Sequence, residues 1–142
     1  MQNYTPMDDL REFHETFAPD QVYDSFEDKI ERRGRLIEEE SQEVLEALDY
    51  LDRTDIGITS ATLDEAREEL AKELADLLYV VYGTAEELGI PLEEVFKEVH
   101  KSNMTKVWED GTVKHNEFGK ILKPATYDKP DLSFIHDNRF LP

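Results

Sequence analysis

Two acidic clusters carry the chemistry available to this chain: Glu39-Glu40-Ser41-Gln42-Glu43, and, with 29 residues between Glu43 and Glu73, Glu73-Leu74-Ala75-Asp76. Residues three or four apart on a helix share a face, with Cβ atoms roughly 5–6 Å apart. Glu40 with Glu43, and Glu73 with Asp76, therefore each present two carboxylates in one direction. Carboxylates converging at one height raise one another's pKa unless a cation neutralises them. Oxygen-only donors select hard ions, so the expected metal is Mg²⁺, with Mn²⁺ as a substitute. Taken alone, either cluster also suits a solvated helix face. What favours a metal is their matched height and the leucines that set them beside an apolar stripe.

That matching depends on the elements that hold the clusters. A helix opening at a cap on Asp24 or Ser25 and running to about Asp52 carries Phe26, Ile30, Ile37, Val44, Leu48 and Leu51 as its apolar stripe. Gly34 interrupts the stripe and is a candidate for close helix approach. Arg53 to Ala61 reads as a loop, and Thr62-Leu63-Asp64-Glu65 as a capping box opening the next helix. That helix runs to about Leu88 with Leu63, Ala66, Leu70, Leu74, Leu77, Val81, Ala85 and Leu88 on one face, and Gly89 stops it. With the loop centred near residue 58, antiparallel partners have numbers summing to about 116. Glu43 then faces Glu73, and Glu40 faces Asp76.

Met7 to Phe17 forms a shorter first helix, ended by Ala18-Pro19-Asp20, on which His14 reads as a packing residue with a base contact as the lesser option. Pro91 suits the first position of a fourth helix reaching about His100. Val107 to Val113, with Asp110-Gly111 at its centre, signals a small β-hairpin, and Gly119, Pro124 and Pro130 make the rest an extended tail. The expected fold is all-α: two long and two shorter helices over about residues 7–101, then hairpin and tail, 1–142 forming one domain. Leu78, Tyr79 and Tyr82 add a second apolar side to the third helix, so the bundle is expected to be completed by self-association.

Charge is unevenly spread. Residues 1–96 hold 8 Lys/Arg against 27 Asp/Glu, a net of −19, whereas residues 97–142 hold 8 against 7, a net of +1. The total of −18 argues against a nucleic-acid polymer or an anionic membrane as partner. The final third offers cations to a small polyanion. There, Lys106 with Lys120 and Lys123 could bind phosphates, and Asn103 could supply amide hydrogen bonds; a helix C-terminal cap explains Lys101-Ser102-Asn103 equally well. Trp108 either stacks on a base or pins the hairpin, the second being favoured. With no cysteine, thiolate ligands, disulfides and a cysteine nucleophile are excluded. The first residues lack the basic and apolar regions of a signal peptide, and the longest apolar run falls short of a membrane span, so a cytoplasmic protein is expected. No Glu-x-x-His pair supports a di-iron bundle, and Gly111 lacks the alternating Asp/Asn of a calcium loop.

Arg35-Leu36-Ile37-Glu38-Glu39-Glu40-Ser41-Gln42-Glu43, then Glu73-Leu74-Ala75-Asp76, then Lys101-Ser102-Asn103-Met104-Thr105-Lys106, resembles the all-α nucleoside triphosphate pyrophosphohydrolases. This MazG-like superfamily includes phosphoribosyl-ATP pyrophosphohydrolase and the dimeric dUTPases. The resemblance covers roughly residues 8–134, and its E-E-x-x-E and E-x-x-D elements fall on Glu39, Glu40, Glu43, Glu73 and Asp76. It implies hydrolysis of a nucleoside triphosphate to monophosphate and pyrophosphate. Glu40, Glu43, Glu73 and Asp76 would hold Mg²⁺, and Glu39 would orient or deprotonate the attacking water. A dimer or dimer of dimers is implied too. Hydrolysis of phosphoribosyl-ATP in histidine biosynthesis, or a non-catalytic acidic helical adaptor, are the alternatives.

Overall fold

Side-chain caps open the two long helices in the computed structural model, which describes residues 5–17, 25–137 and 139. Asp24 and the Ala18-Pro19-Asp20 stop lie outside the described residues. The chain divides into two compact units, residues 1–88 and 89–142.

The first unit holds α1 (Pro6–Phe17), α2 (Phe26–Asp55) and α3 (Leu63–Glu87). Ser25 caps α2 in a full capping box with Asp28, and Thr62 caps α3 in another with Glu65. Each box satisfies amide donors that an uncapped first turn leaves open. At its far end α2 closes with Gly57 at φ 76°. The Gly57 N–H donates to the Thr54 carbonyl (3.1 Å) and the Ile58 N–H to the Arg53 carbonyl (2.9 Å), the Schellman pattern that requires a left-handed residue. The loop is thus shorter than expected, and α2 and α3 return antiparallel.

The seam between them differs from the apolar stripes read in the sequence. On α2, Arg33, Ile37, Glu40, Val44, Ala47, Leu51 and Thr54 recur at alternating spacings of four and three, and every one is buried or half-buried. On α3, Ala66, Leu70, Glu73 and Leu77 do the same. Heptad spacing keeps a narrow line of positions in contact along both helices, and here that line includes charged residues. Phe26, Ile30, Leu48, Leu63 and Leu74, expected on the buried face, are at least 45% exposed. They sit beside the seam, as do exposed Leu45 and Leu78. Among the described residues the buried apolar set is small: Met7, Leu10, Val44, Ala47, Ala66 and Ala85.

Close helix approach occurs at Gly83 instead of Gly34. A Cβ on Gly34 would meet open space, whereas one on Gly83 would lie 3.0 Å from Arg33 Nη1 and 3.4 Å from Leu10 Cδ1. Gly83 makes room on α3 for α1 and for the buried Arg33 guanidinium. That guanidinium ion-pairs with Glu87, as does Arg32, and its Nη2 lies 3.2 Å from His14 Nε2. Glu86 and Glu87 occupy the negative end of the α3 dipole, and Arg11 joins Arg32 and Arg33 in neutralising them. Burial, then the Arg33 charge, holds the His14 imidazole below its ordinary pKa. His14 is therefore half-buried packing, as expected.

The second unit holds α4 (Leu92–Met104), which starts one residue later than expected because Pro91 is its N-cap and not its first helical residue, and a short 3₁₀ turn over Ser133–His136. The hairpin expected at 107–113 is only a turn. Gly111 N–H donates to the Trp108 carbonyl (2.8 Å) and Trp108 N–H to the Thr112 carbonyl (2.9 Å). The Asp110 carboxylate accepts from both the amide and the hydroxyl of Thr112, a local alternative that competes with strand pairing. An isolated antiparallel bridge forms further on, between His115 and Ile121. The fold is all-α, with no strand among the described residues, and no described helix is long and apolar enough to cross a membrane.

Ser102 joins the tail of this unit to its helix. Its buried hydroxyl donates to the Asp128 carbonyl at 2.6 Å and lies 3.0 Å from the Tyr127 hydroxyl. Asp128 N–H donates in turn to Thr105 Oγ1 at 2.9 Å. Ser102→Ala would remove the shorter of that carbonyl's two hydroxyl donors and leave it Thr105 Oγ1 at 3.5 Å, an expected cost of about 0.5–1.5 kcal/mol. Hydrogen exchange should quicken at the Asp128 amide. Unchanged protection there would show that Ser102 does not hold the tail.

Candidate metal centre

Glu40 and Glu73 occupy seam positions of α2 and α3 that a plain helical hairpin fills with apolar side chains. Each pairs with a carboxylate one turn along its own helix, Glu43 and Asp76. One carboxylate oxygen from each of Glu40, Glu73 and Asp76 comes together with all three within 4.8 Å of one another. Glu73 is 5% exposed, while Glu40 and Asp76 are half-buried. The pairing follows the expected register: Glu40 meets the charge of Asp76, and Glu43 meets Glu73.

The electrostatics record the crowding. Loss of hydration, then the negative charges of Asp76, Glu39 and Glu73, push the Glu40 carboxyl above its usual pKa. The Glu43 carboxyl is also raised, first by a hydrogen bond with the Glu73 carboxyl. Such a bond forms only when one of the two carboxyls carries a proton, and it therefore favours the protonated form of Glu43. Glu43 stands outside the tight triplet but belongs to the same cluster. Glu39 is exposed on α2 and acts on the triplet through its charge on Glu40. Beyond Glu43 and Glu73 a groove of about 740 Å³ continues along the seam, lined also by Glu46, Ala47, Tyr50, Glu65 and Glu69. A phosphate could approach so anionic a surface only with cations between.

Lys72 went unremarked in the sequence. Its ammonium lies 3.0 Å from Glu73 Oε1, 3.2 Å from Glu73 Oε2 and 3.0 Å from Asp76 Oδ2. Those hydrogen bonds, Glu73 first, hold its pKa above the ordinary lysine value. A lysine next in sequence to a glutamate normally points to another helix face; only the long flexible stem lets it fold back. It lies off the seam at 61% exposure, and its adjacency to Glu73 is the sequence's one hint of the contact.

The remaining candidates belong to the second unit. Asn103 is exposed in the last turn of α4, where its carbonyl accepts from Lys106 N–H at 3.2 Å, so this segment does serve as a helix end. Lys106 is half-buried, and Lys120 and Lys123 are exposed. Lys123 Nζ lies 4.6 Å from the centre of the Tyr127 ring. Trp108 is half-buried with Lys114 Nζ 3.9 Å from its ring centre. It lines a hollow of about 350 Å³ with Asp110, Pro124 and Thr126 among its walls. These contacts suit the pinning role, because a cation already covers one ring face.

An all-carboxylate donor set on a helical hairpin accords with one class of hydrolase, the MazG-like all-α nucleotide pyrophosphohydrolases, and the family match shows that class. The chain belongs to that superfamily through the phosphoribosyl-ATP pyrophosphohydrolase family, whose model matches residues 10–103. No curated protein matches the chain. Membership brings a pyrophosphohydrolase activity on phosphoanhydride bonds, and the acidic cluster could bind the divalent metal such enzymes typically use.

Proposed function

We propose that this chain is a Mg²⁺-dependent hydrolase of the α–β phosphoanhydride bond of ribo- or deoxynucleoside triphosphates. It releases monophosphate and pyrophosphate, in nucleotide pool control or house-cleaning. The observation that carries this reading is the convergence of the Glu40, Glu73 and Asp76 oxygens within 4.8 Å, in a chain of this family. The residues present fit a hard divalent cation: every donor is a carboxylate oxygen, and lost hydration with neighbouring anions pushes the Glu40 carboxyl upward, as a hydrogen bond with the Glu73 carboxyl does for Glu43.

Glu40, Glu43, Glu73 and Asp76 would hold Mg²⁺, with Mn²⁺ able to replace it. When bound, the ion supplies charge neutralisation and Lewis acidity. Glu39, exposed beside the ligands, orients the attacking water and takes its proton. The water oxygen bonds to the α-phosphorus, the bond from that phosphorus to the bridging oxygen breaks, and pyrophosphate leaves. Lys106, Lys120 and Lys123 would hold the pyrophosphate and Asn103 the nucleotide, with Trp108 the further substrate-binding candidate. None of the three lysine ammonium groups is paired with a carboxylate among the described residues.

Residues 1–142 work as one domain in this reading, as a cytoplasmic homodimer or dimer of dimers. The small buried core and exposed Leu45, Leu48, Leu74 and Leu78 support a second subunit. The net charge of −18 speaks against a nucleic-acid polymer or membrane partner.

A second reading is favoured by the family match: the substrate is phosphoribosyl-ATP, cleaved at the same bond. A panel of nucleoside triphosphates and phosphoribosyl-ATP, each with Mg²⁺, separates the two by kcat/KM. We expect several triphosphates to be turned over. A preference of a hundredfold or more for phosphoribosyl-ATP would install the second reading, and no turnover of any substrate would leave an acidic adaptor.

A further inference from the structure

We propose that Lys72 is a built-in placeholder for the metal: its ammonium occupies the mouth of the acidic triplet in the metal-free protein and must leave when a divalent cation arrives. This rests on the metal-binding role proposed above for Glu40, Glu73 and Asp76, and deepens it. The ammonium contacts two of the three triplet members, Glu73 through both oxygens and Asp76 through one, all at 3.0–3.2 Å. A bound cation needs those same lone pairs, and the two positive charges would repel at such range. Lysine and metal are therefore alternatives.

The construction suits exchange. Glu73 is held in the seam, so its carboxylate stays in place whichever cation is present. Lys72 is 61% exposed on a flexible stem and can swing into water at little cost. The placeholder also answers a difficulty of the fold. Without a counter-charge, Glu40, Glu43, Glu73 and Asp76 would repel across the α2–α3 seam before any metal was bound. Lys72 lets the hairpin form in the absence of metal, at the expense of metal affinity.

The test is Mn²⁺ binding to the full chain without nucleotide, followed by electron paramagnetic resonance, for the parent, Lys72→Gln and Lys72→Arg. An exposed ammonium on a flexible stem is only weakly held even beside the buried Glu73, so its loss should tighten Mn²⁺ binding by about tenfold in Lys72→Gln. In EDTA the same variant should melt at a lower temperature than the parent. Lys72→Arg keeps the charge and should stay within about twofold of the parent in affinity. Unchanged or weaker Mn²⁺ binding in Lys72→Gln, with the parent still binding, would overturn the placeholder and leave the metal site standing. An equal gain in Lys72→Arg would also overturn it, since charge would then not be the cause. If neither the parent nor Lys72→Gln binds Mn²⁺, the metal-site reading itself fails and takes the placeholder with it.

Discussion

Asp76→Asn should lower kcat/KM by about a hundredfold or more, because it removes one of three converging ligand oxygens and a share of the charge neutralisation they anchor. The fold should barely register the change. Two effects oppose each other: relief of repulsion toward Glu40, and loss of one of the Lys72 ion pairs, the one to Asp76. Lys72 retains Glu73, so the metal-free protein should stay within about 0.5 kcal/mol of the parent. The rise in melting temperature that Mg²⁺ gives the parent by binding only the folded state should largely vanish. Steady-state kinetics and melting with and without Mg²⁺ check both halves. An active Asp76→Asn protein with an undiminished Mg²⁺ shift would mean that these carboxylates merely line a wet helix face.

Glu87→Ala should produce the largest loss of stability of any single substitution considered, about 3–5 kcal/mol. Glu87 and Arg33 both have side chains only 8% exposed, and Arg32 shares the same carboxylate. Removing Glu87 strands a buried guanidinium, which costs more than the pair itself contributes. A domain of ordinary stability holds only about 5–15 kcal/mol in total, so the variant should unfold at a much lower urea midpoint. A shift worth under about 1 kcal/mol would show that water already reaches Arg33.

These two sites differ in how far the sequence discloses them. The acidic register was legible because its determinants are local: a Ser25 box opens α2, a Gly57 stop closes it and a Thr62 box opens α3. Spacing of three then settled which carboxylates share a face. Arg33 was not legible, since its burial depends on Glu87, 54 residues away, and on the gap left by Gly83. Gly34 looked the better approach point only because it interrupts an apolar stripe. Lys72 was passed over for a related reason: its position is off the seam, and only its stem length brings the ammonium to Glu73 and Asp76. The Val107–Val113 hairpin fails where the Asp110 side chain captures the Thr112 amide that a strand would have used.

The central claim is that water attacks the α-phosphorus of a nucleotide under the control of the Glu40–Glu73–Asp76 cluster. Turnover in ¹⁸O-labelled water, with products resolved by mass spectrometry, tests it most directly. The account predicts a monophosphate and pyrophosphate, with one ¹⁸O in the monophosphate and none in the pyrophosphate. Label in the pyrophosphate, or release of a diphosphate with orthophosphate, would contradict it.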